Sequence, residues 1–260
     1  MSIIQFSHAN GFPAKTYSAL FNYLETYKIS TINILAENKK PQEINWHDLT
    51  EDVIECAGQF GKPVVGVGHS FGAMLTLLAA AKKPELFQTI IILDPPLFSA
   101  KKRLIISLMR ALNIEDWVSP AGKSKNRRIY FQSKTEAYKY FKSKKLFKNF
   151  HPDTLNDYVT HGLISGEKGL ELSIPVKKEV AIFKKMITSL PKSVFNVEGT
   201  LIYASKNPIL WTTDLGWIKK QFTKLKFIPF PATHLFPLEY PESTARMIIR
   251  CLELKNTKPK

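Results

Sequence analysis

The sequence has few cysteines: Cys56 and Cys251 are the only two in 260 residues, and both lie in helix-like contexts. A disulfide framework is therefore not expected, and both residues are predicted to be free thiols. No apolar run approaches the ~20 residues that a membrane-spanning helix needs, and no signal peptide is visible at Met1. These absences favour a cytoplasmic protein without an integral membrane segment.

Motifs that hold metals or cofactors are also absent. There is no His-x-x-x-His or Cys-x-x-Cys pair and no glycine-rich dinucleotide or phosphate loop. We therefore expect a reaction that uses neither a metal nor a cofactor. No nucleic-acid-binding motif accompanies the basic residues, so a nucleic acid is not expected as a partner.

Acidic residues are scarce relative to basic ones. The chain has 37 Lys and Arg against 22 Asp and Glu, a net charge of +15. Residues 96–195 hold 20 basic and 8 acidic residues, a net charge of +12. Two interpretations stay open: a basic face that attracts an acidic substrate, an acyl-CoA tail or anionic lipid, or a solvated helical surface.

The most informative motif is Gly68-His69-Ser70-Phe71-Gly72. It follows the β-type run at 63–67 and precedes the strong helix former at 73–81. Gly-x-Ser-x-Gly between a strand and a helix is typical of a nucleophile elbow, because side chains at the flanking glycines would collide with neighbouring backbone. Ser70 is the predicted nucleophile, and the N–H of Phe71 is a predicted oxyanion donor.

A second loop upstream has the composition of an oxyanion loop. The strand-like residues 2–6 are followed by His8-Ala9-Asn10-Gly11-Phe12-Pro13. We expect the N–H of Phe12 to be the second oxyanion donor, because Pro13 has no N–H and Gly11 permits a tight backbone. Residues of this loop and of the elbow are the candidates for the substrate pocket: His8, Asn10, Gly11 and His69.

The predicted general base lies near the end of the chain. The strand-like residues 225–230 are followed by a loop that contains His234, and a helix begins near residue 241. A histidine in the loop after the last strand, following the serine and the acid in chain order, is expected to take the serine proton. His234 is therefore the candidate base.

Together these segments resemble the α/β-hydrolase superfamily. The resemblance rests on the loop at 8–13, the elbow at 68–72, Asp94 and the loop at 233–236, and it covers nearly the whole chain apart from the middle. It implies an α/β fold and serine-hydrolase chemistry. Because the chain begins almost directly with the strand before the oxyanion loop, we expect about six mostly parallel strands, with the first two of the usual eight missing.

The catalytic acid has three candidates. In many members that this chain resembles, the acid follows the seventh strand, where this sequence has Asn207, and an amide does not stabilise an imidazolium as a carboxylate does. Asp214 lies seven residues further along. The other known position follows the sixth strand, where the apolar run at 89–93 ends at Asp94. We favour Asp94 over Asp214, and both over Asn207 or water.

The domain organisation is predicted as a core with one insertion. Residues 1–95 and 196–260 alternate short strands and helices, whereas 96–195 show almost no strand pattern and are expected to form a helical cap over the site. The cap is predicted to contain helices at 104–112, 135–150, 152–162 and 176–187.

The function expected from the sequence is hydrolysis of a small or medium carboxylic ester or thioester through an acyl-enzyme, with a small-molecule acyl substrate. The alternatives are an acyltransferase or lyase of the same fold and a binding scaffold without turnover, which the amide at Asn207 favours. The sequence carries no signal for an oligomeric state.

Overall fold

A computed structural model describes residues 1–112, 127–206 and 209–256. The strands in these ranges are β1 (Ile3–Ser7), β2 (Lys28–Thr31), β3 (Val64–His69), β4 (Phe87–Leu93), β5 (Tyr130–Phe131), β6 (Leu163–Gly166), β7 (Gly169–Leu172), β8 (Gly199–Ala204) and β9 (Leu225–Phe230). The helices are α1 (Ser18–Asn22), α2 (Trp46–Gly58), α3 (Phe71–Lys82), α4 (Ala100–Ala111), α5 (Lys134–Lys142), α6 (Pro152–His161), α7 (Val176–Lys184), α8 (Thr212–Gln221), α9 (Phe236–Glu239) and α10 (Pro241–Asn256).

Six parallel strands form the central sheet, which confirms the predicted number and direction of the strands. Their order is β2-β1-β3-β4-β8-β9. Every residue of β1 and of β3 is buried, because helices cover both faces of the sheet. The chain runs outward from β1 to β2 and then returns to β3 on the other side of β1. In open α/β sheets ligands bind outside the carboxyl ends of the strands at such a reversal, so the site is expected there.

Alternate residues of the strands supply two apolar cores. Ile91 and Leu93 face a cluster with α1 and α10, while Ile90 and Ile92 face a cluster with α2 and α3. This two-residue period is what a strand buried on both faces produces. The sheet therefore holds the loops at its carboxyl edge on a rigid base.

Between β4 and β8 the chain forms the helices α4, α5, α6 and α7, each of which overlaps a predicted helix. The helix predicted at 135–150 ends early, at Lys142, and a short 3-10 helix follows at Lys145–Phe147. The structure also places there a three-stranded antiparallel sheet, β5-β7-β6, that the sequence did not predict. Its strands have only two to four residues, too few for a period-two pattern to stand out. The signal that was missed is the Gly166–Gly169 turn, in which Gly169 has a φ of 111°.

The first turn of α3 lies against the end of β1. A Cβ added to Gly72 would be 2.2 Å from the Ser7 carbonyl oxygen, and one added to Gly68 would be 2.5 Å from the Gly72 oxygen. Neither contact is possible for a real side chain. The two glycines of the elbow therefore allow the helix, the strand and the oxyanion loop to meet.

We predict that Gly72→Ala destabilises the protein by about 3 kcal/mol or more, because the added methyl group would press on backbone that does not yield. Gly216→Ala, in the open interior of α8, is the matched control. It should stabilise the fold by about 0.5–1 kcal/mol. Denaturant unfolding of both variants checks this, and similar effects of the two substitutions would contradict the packing argument.

Candidate active site

Ser70 lies in a strained turn between β3 and α3. Its φ is 54° and its ψ is −117°, and its N–H donates to the Leu93 oxygen at 2.9 Å. A non-glycine residue in such a conformation costs on the order of 1–3 kcal/mol and is retained where the surrounding structure imposes it. The turn places the Ser70 side chain beyond the carboxyl edge of the sheet.

Three side chains from distant parts of the chain meet at this edge. Ser70 Oγ lies 2.9 Å from Nε2 of His234, and Nδ1 of His234 lies 2.6 Å from Oδ2 of Asp94. A carboxylate only accepts hydrogen bonds, so Nδ1 of His234 carries the proton and Nε2 accepts from the Ser70 hydroxyl. This tautomer leaves Nε2 able to take the Ser70 proton.

Asp94 is fully buried and is held by backbone groups of β8. It has a left-handed φ of 44°, and its N–H donates to the Ile202 oxygen at 2.7 Å. Its Oδ1 accepts from the Ala204 N–H at 3.1 Å, which leaves Oδ2 for His234. The carboxylate therefore has one fixed orientation, toward the histidine.

The rival acid, Asp214, has other partners. Its two carboxylate oxygens accept from the Ser99 N–H at 2.9 Å, the Lys102 ammonium at 3.1 Å and the Trp211 N–H at 3.1 Å. Burial opposes ionisation, but these hydrogen bonds outweigh it and lower the pKa of Asp214. The third candidate, Asn207, lies outside the described residues.

The two predicted oxyanion donors differ in their surroundings. Phe71 is the first residue of α3, so its N–H has no partner within the helix. The Phe12 N–H donates to the Ala9 oxygen across a turn, at 3.2 Å. Phe12 is therefore in the right loop, but its N–H is engaged in this structure.

His8 differs from the prediction that it lines the pocket. Its Nδ1–H donates to the Ala9 oxygen at 2.8 Å, and its Nε2 accepts from the Leu35 N–H at 2.8 Å. The side chain is buried, and burial lowers the pKa of His8 to about 4. Both ring nitrogens bind backbone, so His8 supports the loop rather than facing a substrate.

His69 is likewise buried and fully bonded. Its Nδ1 accepts from the Tyr17 hydroxyl at 2.7 Å, and its Nε2–H donates to the His234 backbone oxygen at 3.0 Å. The Tyr17 oxygen also accepts from the Ala9 N–H at 3.2 Å. Burial, with a smaller contribution from His234, lowers the pKa of His69 well below its usual value. Sequence reasoning missed Tyr17, because a tyrosine just before a helix carries no local signal of this role.

The remaining pocket candidates, Asn10 and Gly11, lie beneath α7. Nδ2 of Asn10 donates to the Glu179 backbone oxygen at 2.9 Å, and the Glu179 carboxylate lies over Gly11. The same carboxylate accepts from the Arg127 guanidinium at 2.6 Å. Arg127 and Glu179 are thus largely buried polar neighbours of the oxyanion loop that the sequence did not assign to the site.

Aromatic rings from the 96–195 segment pack on the Phe12 side chain. The ring centroids of Phe147, Phe150 and Tyr158 lie 6.2, 5.8 and 5.5 Å from that of Phe12. On the other side of the elbow, the ring of Phe71 packs edge-on against Trp46, 4.8 Å between centroids. Residues between β4 and β8 therefore pack on the ring of Phe12 in the loop after β1.

Among the described residues, no group of three or more His, Cys, Asp or Glu side chains is arranged to hold a metal ion. In the same part of the chain, no helix has the length and apolar character needed to cross a membrane.

The sheet, its flanking helices and the strained serine turn define the α/β-hydrolase class of fold. The sequence agrees independently: residues 37–246 match the alpha/beta hydrolase family, and the chain belongs to that family. This membership supports hydrolase activity in general.

Solved structures with this fold superpose closely at low sequence identity. The thioesterase domain from the curacin biosynthetic pathway gives a TM-score of 0.73 at 15% identity, over 96% of this chain and 91% of that one. E-2-(acetamidomethylene)succinate hydrolase gives 0.76 at 14% identity, over 97% and 91%. These similarities show a shared fold.

A sequence relative is the type I acyl-CoA thioesterase mpaH′ of Penicillium brevicompactum. It is 27% identical over an alignment of 108 positions, and the match covers 34% of this chain. The match spans only 25% of the length of that relative.

We predict that the free energy of unfolding falls as the pH drops from about 6.5 toward 4. An unfolded His8 binds a proton in this range whereas the buried one does not, which is worth at most about 3 kcal/mol. His69 acts in the same direction. Denaturant unfolding at several pH values should show that the free energy of unfolding depends less steeply on pH in His8→Gln than in the wild type. The exposed His47 provides the control, and a His8→Gln slope equal to that of His47→Gln would refute the assignment.

Proposed function

We propose that the chain is a serine hydrolase that cleaves a small or medium carboxylic ester or thioester through an acyl-enzyme. The observation that carries this proposal is the unbroken hydrogen-bond chain from Ser70 through His234 to Asp94. A serine hydroxyl bonded to a neutral imidazole, which is itself oriented by a buried carboxylate, is the arrangement that activates serine for attack on an acyl carbon.

In the proposed mechanism, Ser70 Oγ bonds to the acyl carbon while Nε2 of His234 takes its proton. Asp94 stabilises the resulting imidazolium through Nδ1. The tetrahedral intermediate collapses, and His234 returns the proton to the departing alcohol or thiol. Water then attacks the acyl-Ser70 ester by the same route, which releases the carboxylic acid and restores the serine.

The proposed oxyanion donors are the N–H groups of Phe71 and Phe12. Phe12 must exchange the Ala9 oxygen for the oxyanion, and the long 3.2 Å bond favours that exchange. The Ala9 oxygen would not be left without a donor, because Nδ1–H of His8 also binds it at 2.8 Å. His8 thus reduces the cost of recruiting Phe12, since a buried carbonyl keeps one hydrogen bond throughout.

A thioester is supported as one candidate substrate by the names of similar proteins. The curated relative is called an acyl-CoA thioesterase, and a structural neighbour is a thioesterase domain. The binding scaffold without turnover drew its support from Asn207, and that support weakens because Asp94 contacts His234.

We predict that Ser70→Ala lowers ester hydrolysis by about 10⁴–10⁶-fold and leaves the fold intact, because the variant lacks the nucleophile. The assay is a panel of p-nitrophenyl and CoA esters of varied chain length, with circular dichroism as the fold check. A fluorophosphonate probe with mass spectrometry should label Ser70 in the wild type. Ser18→Ala, at a serine in α1, is the matched control. More than a tenth of wild-type activity in Ser70→Ala would refute the mechanism.

We predict that Asp94→Asn lowers kcat by about 10²–10⁴-fold, because an amide can hold the wrong tautomer of His234. Asp214→Asn should lower kcat by less than about tenfold, a small change on the transition-state scale, although it weakens the ion pair with Lys102 and should reduce stability. Both variants are assayed on one ester, normalised to the folded fraction. The opposite ranking would place the acid at Asp214.

A further inference from the structure

The helix α4 lies with three of its four basic side chains toward the protein and an apolar face toward solvent. Amphipathic helices of globular proteins normally bury the apolar face, so this orientation is reversed. The helix begins directly after Ser99, six residues beyond Asp94, and is the first helix between β4 and β8. Its contacts show that the reversal is held by specific bonds.

Three basic side chains anchor α4. Lys102 Nζ binds Asp214 Oδ2 at 3.1 Å and the Ile209 oxygen at 3.3 Å. The two arginines bind backbone carbonyls: Arg103 to Phe98 at 2.8 Å and to Thr188 at 3.1 Å, and Arg110 to Met186 at 2.9 Å.

Aromatic rings reinforce these anchors. Lys102 Nζ lies 3.9 Å from the ring centroid of Phe98 and 4.5 Å from that of Trp211, and the Arg103 guanidinium lies 4.8 Å from that of Trp217. The Asp214 side chain that pairs with Lys102 is only 1% exposed. Rotating α4 to bury its apolar face would leave this carboxylate without its cation, which is costly.

The outward face is large and continuous. Leu104 is 60% exposed, Ile105 46%, Leu108 56% and Leu112 68%. Positions i, i+1, i+4 and i+8 lie on one side of a helix, so these four residues form a single apolar strip. Trp211, which is 64% exposed, lies beside the helix at Lys102. Contiguous exposed apolar surface of this kind marks a contact surface.

We propose that the apolar strip of α4 docks on an anionic lipid surface. The helix contains four basic residues and no acidic one, and residues 96–195 carry a net charge of +12. Arg103 and Arg110 donate to neutral carbonyls, so their charges still contribute to the positive field. That field attracts an anionic bilayer and repels a second copy of this chain, which has a net charge of +15.

The geometry fits docking in the plane of the membrane. A helix of 12 residues is too short to span a bilayer, for which ~20 are needed, but it can bury one apolar face among the lipid headgroups and acyl chains. Trp211 is exposed beside Lys102, and tryptophan is a residue type enriched at membrane interfaces.

The test is sedimentation of the full chain with vesicles. The wild type should bind vesicles of equal parts phosphatidylcholine and phosphatidylglycerol, and bind pure phosphatidylcholine much more weakly. Leu104→Ser combined with Leu108→Ser should reduce binding by about tenfold or more, since both side chains would insert. Lys101→Glu, at an exposed lysine, should also weaken binding.

Tyr23→Ser combined with Leu254→Ser is the matched control. These residues are 45% and 49% exposed and lie on the α1 and α10 side of the sheet. The control should bind within about twofold of the wild type, which is the size of a surface effect. Equal binding of the α4 variant and the wild type would overturn the proposal. So would absence of vesicle binding, or a wild-type dimer that the α4 substitutions dissociate, which would assign the strip to a second copy.

Discussion

The Asp94 carboxylate connects β4, β8 and the His234 loop, and the arrangement of the site depends on it. Its two oxygens bind the Ala204 N–H and the His234 ring. Because backbone at the end of β8 holds one oxygen, the sheet itself determines where the other points. A buried carboxylate is tolerated only when hydrogen bonds from the protein replace those from water, and the bonds from Ala204 and His234 do so for Asp94. The position of His234, and through it the bond to Ser70, therefore follows from the pairing of two parallel strands.

A second buried chain of hydrogen bonds joins the loops to one another. It runs from the Ala9 N–H to Tyr17, from Tyr17 to His69, and from His69 to the His234 backbone. Only a neutral His69 can accept at one nitrogen and donate at the other, and its burial maintains that state. The oxyanion loop, the residue before Ser70 and the base loop are thus coupled through one side chain. Networks of this kind add rigidity where every polar group is satisfied.

The fold and the meeting of Ser70, Asp94 and His234 at one edge of the sheet could be predicted because their signals are local. Ser70, Asp94 and His234 each follow a strand, and parallel strands bring their carboxyl ends to one edge of the sheet. His8 and His69 also lie beside this edge, but their partners are backbone groups distant in sequence, such as the Leu35 N–H. No local pattern distinguishes a histidine that binds backbone from one that faces a substrate. The same limit applies to contacts of the inserted segment, such as Glu179 over Gly11.

The reversed orientation of α4 and the position of Asp214 away from His234 have one physical cause, the ion pair between Lys102 and Asp214. The helix pattern predicts an inward apolar face, but Asp214 is buried and needs Lys102. An unpaired buried carboxylate costs about 3–5 kcal/mol, which is comparable with leaving a few half-exposed leucine side chains in water. The Lys102–Asp214 ion pair therefore holds α4 in this orientation. The free energy it contributes is of about the same size as the cost of exposing the apolar strip. A surface that covers the apolar strip adds burial and leaves the ion pair intact, so docking and anchoring of α4 do not compete.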